Sequence, residues 1–243
     1  MALNIIGIGL KNEKSITVEG LEIAKQSDVV YLETYTSVLA DANIANLEKF
    51  YGKKIISANR EIVERKAEET ILKDAKTKNV AFLVIGDPFS ATTHMDIYNR
   101  AKEAGIKVNI INNVSIINAV GVVGLELYKY GKITSIPFDN LNITTPFDVY
   151  KMNKKNGLHT LFLLDLNPEK NKFMSCKEAV DYLIRKGLDK KETVISCAQI
   201  GGENPLIKIS SAGEVEEIKK YPQCLIIPGK LHFFEEEMIG KWE

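Results

Sequence analysis

The stretch Val80-Ala81-Phe82-Leu83-Val84-Ile85, closed by Gly86-Asp87-Pro88, constrains the fold more than any other part of the chain. An unbroken apolar run without polar alternation describes a strand covered on both faces, as in a parallel sheet. Proline lacks a backbone donor and disfavours helical geometry in the residue before it. The strand therefore stops abruptly and leaves Asp87 extended at its carboxyl end, where open α/β sheets bind their ligands. The small residues that follow, Ser90-Ala91-Thr92-Thr93, leave room for a ligand to approach the backbone.

Similar apolar runs recur through the first half. Strands are expected over 3–9, 29–32, 54–57, 80–85 and 107–111, with helices over 17–26, 43–50, 60–78 and 95–104 between them and Gly105 as a C-cap. This βαβα alternation predicts a parallel sheet with flanking helices. Strands expected over 132–136, 160–164, 194–198, 206–210 and 224–227 are separated by fewer helices, which predicts a mixed sheet. One helix there is well specified: Ser175 and Glu178 form a capping box, Cys176, Ala179, Val180, Leu183 and Ile184 share a face, and Gly187 ends it. The change of texture near residues 112–114 divides the chain into two expected α/β domains, 1–113 and 114–243.

Lysine plus arginine and aspartate plus glutamate each number 32, so zero formal charge favours neither nucleic acid nor an anionic membrane as a partner. Three widely spaced cysteines, Cys176, Cys197 and Cys224, argue against a disulfide framework or zinc cluster and for core thiols in a reducing compartment. The run Leu3–Leu10 is too short for a signal-peptide core or a membrane span, and no later stretch is long enough. Walker, nucleophile-elbow and His-Glu-x-x-His patterns are absent, and His94, His159 and His232 lack metal-ligand spacing. No metal site is expected.

Four segments could carry chemistry. Gly7-Ile8-Gly9 ends the first strand; paired glycines allow a sharp turn and a close ligand approach. A dinucleotide reading would need a third glycine where Asn12 stands, and Glu33 lies at the distance of the usual acidic partner. A plain strand-to-loop turn reads equally well. Asp87 could accept from hydroxyls or an ammonium group; as a helix cap it stands too far upstream of a start at Thr92 or Thr93. Ser115 reads as an N-cap, with amides after it that could hold a polar group. His232, between apolar neighbours beyond Pro228-Gly229, reads as a packed, hydrogen-bonded histidine.

Taken together, Gly7-Ile8-Gly9-Leu10, Glu33-x-Tyr35-Thr36-Ser37, Gly86-Asp87-Pro88 with Ala91-Thr92-Thr93-His94, Ser115-Ile116, Gly157-Leu158-His159-Thr160-Leu161 and Pro228-Gly229-Lys230-Leu231-His232 occur in one order along the chain. In this the sequence resembles the diphthine synthases, a branch of the tetrapyrrole-methylase-like superfamily. The resemblance implies an S-adenosylmethionine-dependent N-methyltransferase that releases S-adenosylhomocysteine. It implies two α/β domains with the cofactor in a cleft between them, a homodimer, and a cytoplasmic location. The acceptor would be the amino group of a modified histidine on translation elongation factor 2, a step toward diphthamide; archaeal-type members trimethylate it and eukaryotic-type members also esterify a carboxylate. The cofactor site would be lined by Leu10, Asp87, Ser90, Ser115, Ile116, Leu166, Ala198 and His232. No residue is assigned a catalytic role, and a sulfonium, which carries a good leaving group, asks for no metal. Two other readings remain at this point: methylation of a precorrin-type tetrapyrrole, and a non-catalytic nucleotide-binding α/β module.

Overall fold

The computed structural model describes residues 1–90 and 94–242; Ala91, Thr92, Thr93 and Glu243, and with them the expected helix start at Thr92 or Thr93, lie outside the described residues. The chain forms two compact units, Met1–Ala119 with Gly201–Glu203, and Val120–Ile200 with Asn204–Glu243. The division falls after Ala119, beyond the change of texture at 112–114, because a short helix following the last strand of the first sheet stays with that sheet.

The first unit runs β1 (Ala2–Gly7), α1 (Val18–Gln26), β2 (Val29–Glu33), α2 (Ile44–Tyr51), β3 (Ile55–Ala58), α3 (Ile71–Ala75), β4 (Asn79–Val84), α4 (Met95–Glu103), β5 (Val108–Ile111) and α5 (Ile116–Ala119). Its strands lie in the order β3-β2-β4-β1-β5, all parallel. Successive side chains on a strand point to opposite faces. Ile5 and Phe82 accordingly join a core with Ile71, Leu72 and Ile97, while Ile6 and Leu83 join another with Ala24, Leu47 and Tyr51. Two cores, one on each face, explain why the central strands show no polar alternation.

The helix expected over 60–78 is broken into a π-type turn at Glu61–Arg65, a 3-10 turn at Ala67–Glu69, and α3. Arg100 on α4 donates to the carbonyls of Val63 (3.4 Å) and Glu64 (3.1 Å), and the Thr70 hydroxyl donates to the Lys66 carbonyl at 2.6 Å. Acceptors drawn toward these donors leave the helical ladder, and Thr70 takes φ −124° and ψ −99°, outside the helical region.

The second unit runs β6 (Thr134–Ile136), α6 (Thr145–Lys155), β7 (Thr160–Leu164), β8 (Leu166–Asn167), β9 (Lys172–Phe173), α7 (Cys176–Lys186), β10 (Thr193–Ala198), β11 (Leu206–Ser211), β12 (Gln223–Ile227) and α8 (Phe233–Ile239). Its sheet, in the order β11-β10-β12-β7-β6, is antiparallel except for the β6–β7 pair. The mixed sheet expected from the sequence is present, and β8 and β9 form an additional short antiparallel pair. At α7 the Ser175 hydroxyl accepts from the Glu178 amide (3.2 Å), Glu178 accepts from the Ser175 amide (2.7 Å), and Gly187 closes the helix at φ 114°. The three thiols, far apart in sequence, gather here. Cys197 lies directly opposite Cys224 across β10 and β12, and the Cys176 thiol donates to the Cys224 carbonyl at 3.2 Å. All three are buried and free, and burial pushes the Cys176 thiol up to about 12.

The unit also buries a charged network. The fully buried Glu235 carboxylate accepts from the amides of Glu126 and His232 (both 2.9 Å), from His159 Nε2 (2.9 Å), and from Lys129. The other ring nitrogen of His159 accepts from the Gly229 amide at 2.9 Å. Nε2 must therefore carry the proton, so His159 is neutral and Glu235 ionised. Burial alone would raise the Glu235 pKa; the Lys129 ammonium, the two amides and His159 outweigh it and hold the carboxyl down to about 2.

A carboxyl whose folded pKa is depressed stabilises the fold above its ordinary pKa and loses that contribution as pH falls through the folded value. Glu235→Gln is expected to destabilise the chain by about 3 kcal/mol at pH 7. In chemical denaturation followed against pH, the gap between wild type and variant should narrow as pH falls from the ordinary 4.5 toward about 2. A gap independent of pH would show that the charge contributes nothing.

Candidate functional site

β1 and β4 lie side by side at the centre of the first sheet, and the chain leaves them in opposite directions. From β1 it crosses past β4 to β2; from β4 it crosses past β1 to β5. Such a divergence opens a crevice outside the carboxyl ends of the two strands. The two exits are tied to one another. Gly9 donates to the Gly86 carbonyl (3.2 Å) and Gly86 donates to the Gly9 carbonyl (2.9 Å), with both residues at positive φ, 71° and 84°. Gly7 allows the close approach: a Cβ there would stand 2.7 Å from the Gly86 carbonyl oxygen and 2.8 Å from Asn113 Cβ.

Asp87 is buried in the next layer. One carboxylate oxygen accepts from the Phe89 amide and the Ser90 hydroxyl, both at 3.0 Å. The other accepts from the Asn112 side chain (2.9 Å) and the Asn113 amide (3.1 Å). Burial would raise its pKa, but these four donors prevail and hold the carboxyl below the usual range. Four protein donors fill the carboxylate, so Asp87 joins the exit of β4 to that of β5 instead of offering a free anion. Ser90, through its hydroxyl, belongs to the same turn.

Ser115 stands as the sequence indicates. Its hydroxyl accepts from the Ile117 amide (3.3 Å) while its own amide donates to the Asn118 side chain (2.9 Å), and half-buried Ile116 opens α5. The Leu10 side chain, the Val114 carbonyl oxygen and Ser115 Cα surround the place where a Cβ on Gly86 would be, at 3.6, 3.8 and 3.8 Å. Leu10 is backed by Gly201, where a Cβ would come within 2.9 Å of the Leu10 Cβ. Leu10, Asp87, Ser90, Ser115 and Ile116 are thus gathered at one place by the ends of three strands. The absence of a Cβ at Gly86 leaves its backbone uncovered on the side that faces Leu10 and the Val114–Ser115 segment.

The second unit carries Leu166, Ala198 and His232. Leu166, half-buried, opens β8 just past β7, and buried Ala198 ends β10, at the same end of that sheet. Beyond Ala198, Gln199 takes a left-handed φ of 51°, which is uncommon outside glycine, with its amide held by the Pro222 carbonyl at 2.8 Å. The Pro228–Lys230 turn that leads to His232 lies at the other end, where Ile227 pairs with Thr160 and Lys230 donates to the Gly157 carbonyl. The packed histidine expected at 232 is not found. His232 is exposed and N-caps α8, accepting from the Phe234 amide at 3.4 Å. The buried histidine of this region is His159, which the sequence gives only as part of a motif.

The dinucleotide pattern dissolves. Asn12 caps a 3-10 turn at Glu13–Ser15. Glu33, fully buried, turns back on its own loop and accepts from the amides of Tyr35 (2.6 Å) and Thr36 (2.5 Å) and from the Thr36 hydroxyl (2.7 Å). Burial raises its pKa. His94 is enclosed edge-on by the rings of Phe82 (5.4 Å) and Tyr35 (6.2 Å), and burial pushes it down to about 4, so it is a neutral core residue. Asn113 was legible only as part of a polar pair after a strand; its several bonds depend on residues about a hundred positions earlier. Among the described residues no group of three or more histidine, cysteine, aspartate or glutamate side chains could hold a metal ion.

Residues 2–216 match the family described as Tetrapyrrole (Corrin/Porphyrin) Methylases. The chain is 40% identical over 268 residues to the Arabidopsis thaliana protein named "Probable diphthine methyl ester synthase", with 98% of this chain and 96% of that protein covered. It is 40% identical over 251 residues to a diphthine synthase of Methanococcus maripaludis, with 98% and 97% covered. A crystal structure of diphthine synthase is similar at a TM-score of 0.92 and 33% identity, with 100% of this chain and 96% of that one covered. With the strand order, the glycine-tied crevice and full-length similarity in agreement, the chain belongs to the tetrapyrrole methylase family of methyltransferases, in its diphthine synthase branch.

Proposed function

We propose that the chain transfers methyl groups from S-adenosylmethionine to the amino group of a modified histidine on translation elongation factor 2, with S-adenosylhomocysteine as co-product. The observation that carries this reading is the divergence of β1 and β4, whose tied exits at Gly9 and Gly86 bring Leu10, the Asp87 turn and the Val114–Ser115 backbone together. The names of relatives similar over the whole chain supply the acceptor. S-adenosylmethionine supplies an electrophilic methyl group and a neutral thioether leaving group. The chain's own residues supply alignment: the backbone at Gly9 and Gly86 sets how closely the ligand approaches, Asp87 fixes the turn that follows, and Leu10 and Ile116 provide apolar walls. Holding two reactants in attack geometry can lower a barrier by ~7–11 kcal/mol. Leu166, Ala198 and His232 enter the reading only through the family resemblance, His232 within its Pro-Gly-Lys-Leu-His motif. A homodimer and a cytoplasmic location belong to the same reading; no helix among the described residues is long and apolar enough to cross a membrane.

Mass spectrometry of elongation factor 2 carrying the first-stage modification, incubated with the chain and S-adenosylmethionine, should show added methyl units. Three units on nitrogen would match the archaeal-type product, and a further ester the eukaryotic-type one; no mass gain would overturn the proposal. Gly86→Ala places a methyl group against Leu10 and the Val114–Ser115 backbone and forces a left-handed alanine, at a cost of about 1–2 kcal/mol in stability. Calorimetric titration with S-adenosylmethionine should then give an affinity at least about tenfold weaker, roughly the effect of losing 1.4 kcal/mol of binding energy. Unchanged affinity in a folded variant would remove Gly86 from the site.

A further inference from the structure

We infer that Asn113 is a positioning residue for cofactor binding, a side chain that locks the exits of β1 and β5 to one another. This rests on the reading that the crevice of the first unit holds S-adenosylmethionine. The Asn113 carboxamide nitrogen donates to the Gly7 carbonyl at 2.9 Å and to the Ser15 carbonyl at 3.0 Å, and its oxygen accepts from the Val114 amide at 2.7 Å. Its backbone amide donates to Asp87 at 3.1 Å. One residue thereby engages the last residue of β1, the turn before α1, the Asp87 turn after β4, and the segment that leads to Ser115.

The chemistry selects asparagine. Two carbonyl acceptors require two N–H donors, and the Val114 amide requires an acceptor on the same short side chain; only a carboxamide of this length meets all three. Aspartate would set an oxygen against two carbonyls. Serine would reach neither carbonyl. The side chain also lies directly against the glycines: a Cβ on Gly7 would stand 2.8 Å from Asn113 Cβ, and one on Gly9 would stand 3.3 Å from Asn113 Oδ1. The backbone that lines the crevice on two sides therefore takes its place from this carboxamide. With its polar atoms already engaged by protein, Asn113 acts through Gly7–Gly9 and Val114–Ser115 and not by touching the ligand.

Asn4, on β1, provides a control. It is buried, donates to the Val80 carbonyl at 3.1 Å and accepts from Asn109 at 2.7 Å, and it stands in the middle of β1, away from the crevice. The test uses the full chain with Asn113→Ser, Asn113→Asp and Asn4→Ala, each measured by thermal unfolding and by calorimetric titration with S-adenosylmethionine. Both Asn113 variants should bind at least about tenfold more weakly, which corresponds to 1.4 kcal/mol. Asn4→Ala should keep wild-type affinity even where its unfolding temperature falls as far. Wild-type affinity in Asn113→Ser, or an equal loss in Asn4→Ala, overturns the inference. A wild-type chain that takes up no S-adenosylmethionine overturns the functional reading instead, and amide hydrogen exchange at Ile8, Gly9 and Val114 then decides the positioning role. Faster exchange there in Asn113→Ser than in Asn4→Ala supports it; equal exchange overturns it.

Discussion

The first unit depends on the pair of reciprocal backbone hydrogen bonds between Gly9 and Gly86. Two neighbouring parallel strands whose connections depart to opposite sides would otherwise splay beyond their last paired residues, Gly7 and Val84. The tie extends their association past the sheet while both chains turn away, and this requires left-handed backbone on both sides, which glycine adopts at little steric cost. Gly7 must be bare because the Gly86 carbonyl and Asn113 close on it. The glycines of the motifs are thus one requirement, close backbone contact at a point of divergence, met at three positions.

Three buried carboxylates do similar work in different surroundings. Glu33, Asp87 and Glu235 each accept from two backbone amides and thereby fix a turn or helix start. Their ionisation differs with the balance between burial and their other neighbours. Glu33 adds a hydroxyl and the charge of Arg60, but burial prevails and its pKa rises. Asp87 adds a hydroxyl and a carboxamide, and its pKa falls. Glu235 adds a lysine ammonium and an imidazole and is held lowest, at about 2. An ionised carboxylate in the interior is costly unless its lone pairs are filled, and in all three the filling groups are what the carboxylate organises.

The architecture of the first unit was legible because strands buried on both faces leave an unmistakable apolar record, and the sharp stop at Gly86-Asp87-Pro88 marks where they end. Gly9, Asp87 and Ser115 could be placed near one another because parallel strands bring their carboxyl ends together, whatever the order. Interactions between distant segments were not legible. Nothing in 60–78 announces that Arg100 will take the Val63 and Glu64 carbonyls and break the helix. Glu33 has the spacing of a ribose ligand, but the amides two and three residues ahead claim it first. His232 and His159 look alike as isolated histidines; only a partner 76 positions away makes His159 the buried one. Asn113 passed unnoticed for the same reason, its acceptors lying near the amino terminus.

The clustered thiols give the second unit a reporter of its own. Every cysteine of the chain belongs to that unit, and each is buried, Cys197 and Cys224 on its sheet and Cys176 on α7. A sulfur shut away from solvent is out of a reagent's reach, so alkylation by a small maleimide has to wait for the surrounding strands to part. The rate of labelling would then measure how often the mixed sheet opens while remaining blind to the parallel one, so the lifetime of the second half could be timed by itself in a chain that carries no added probe.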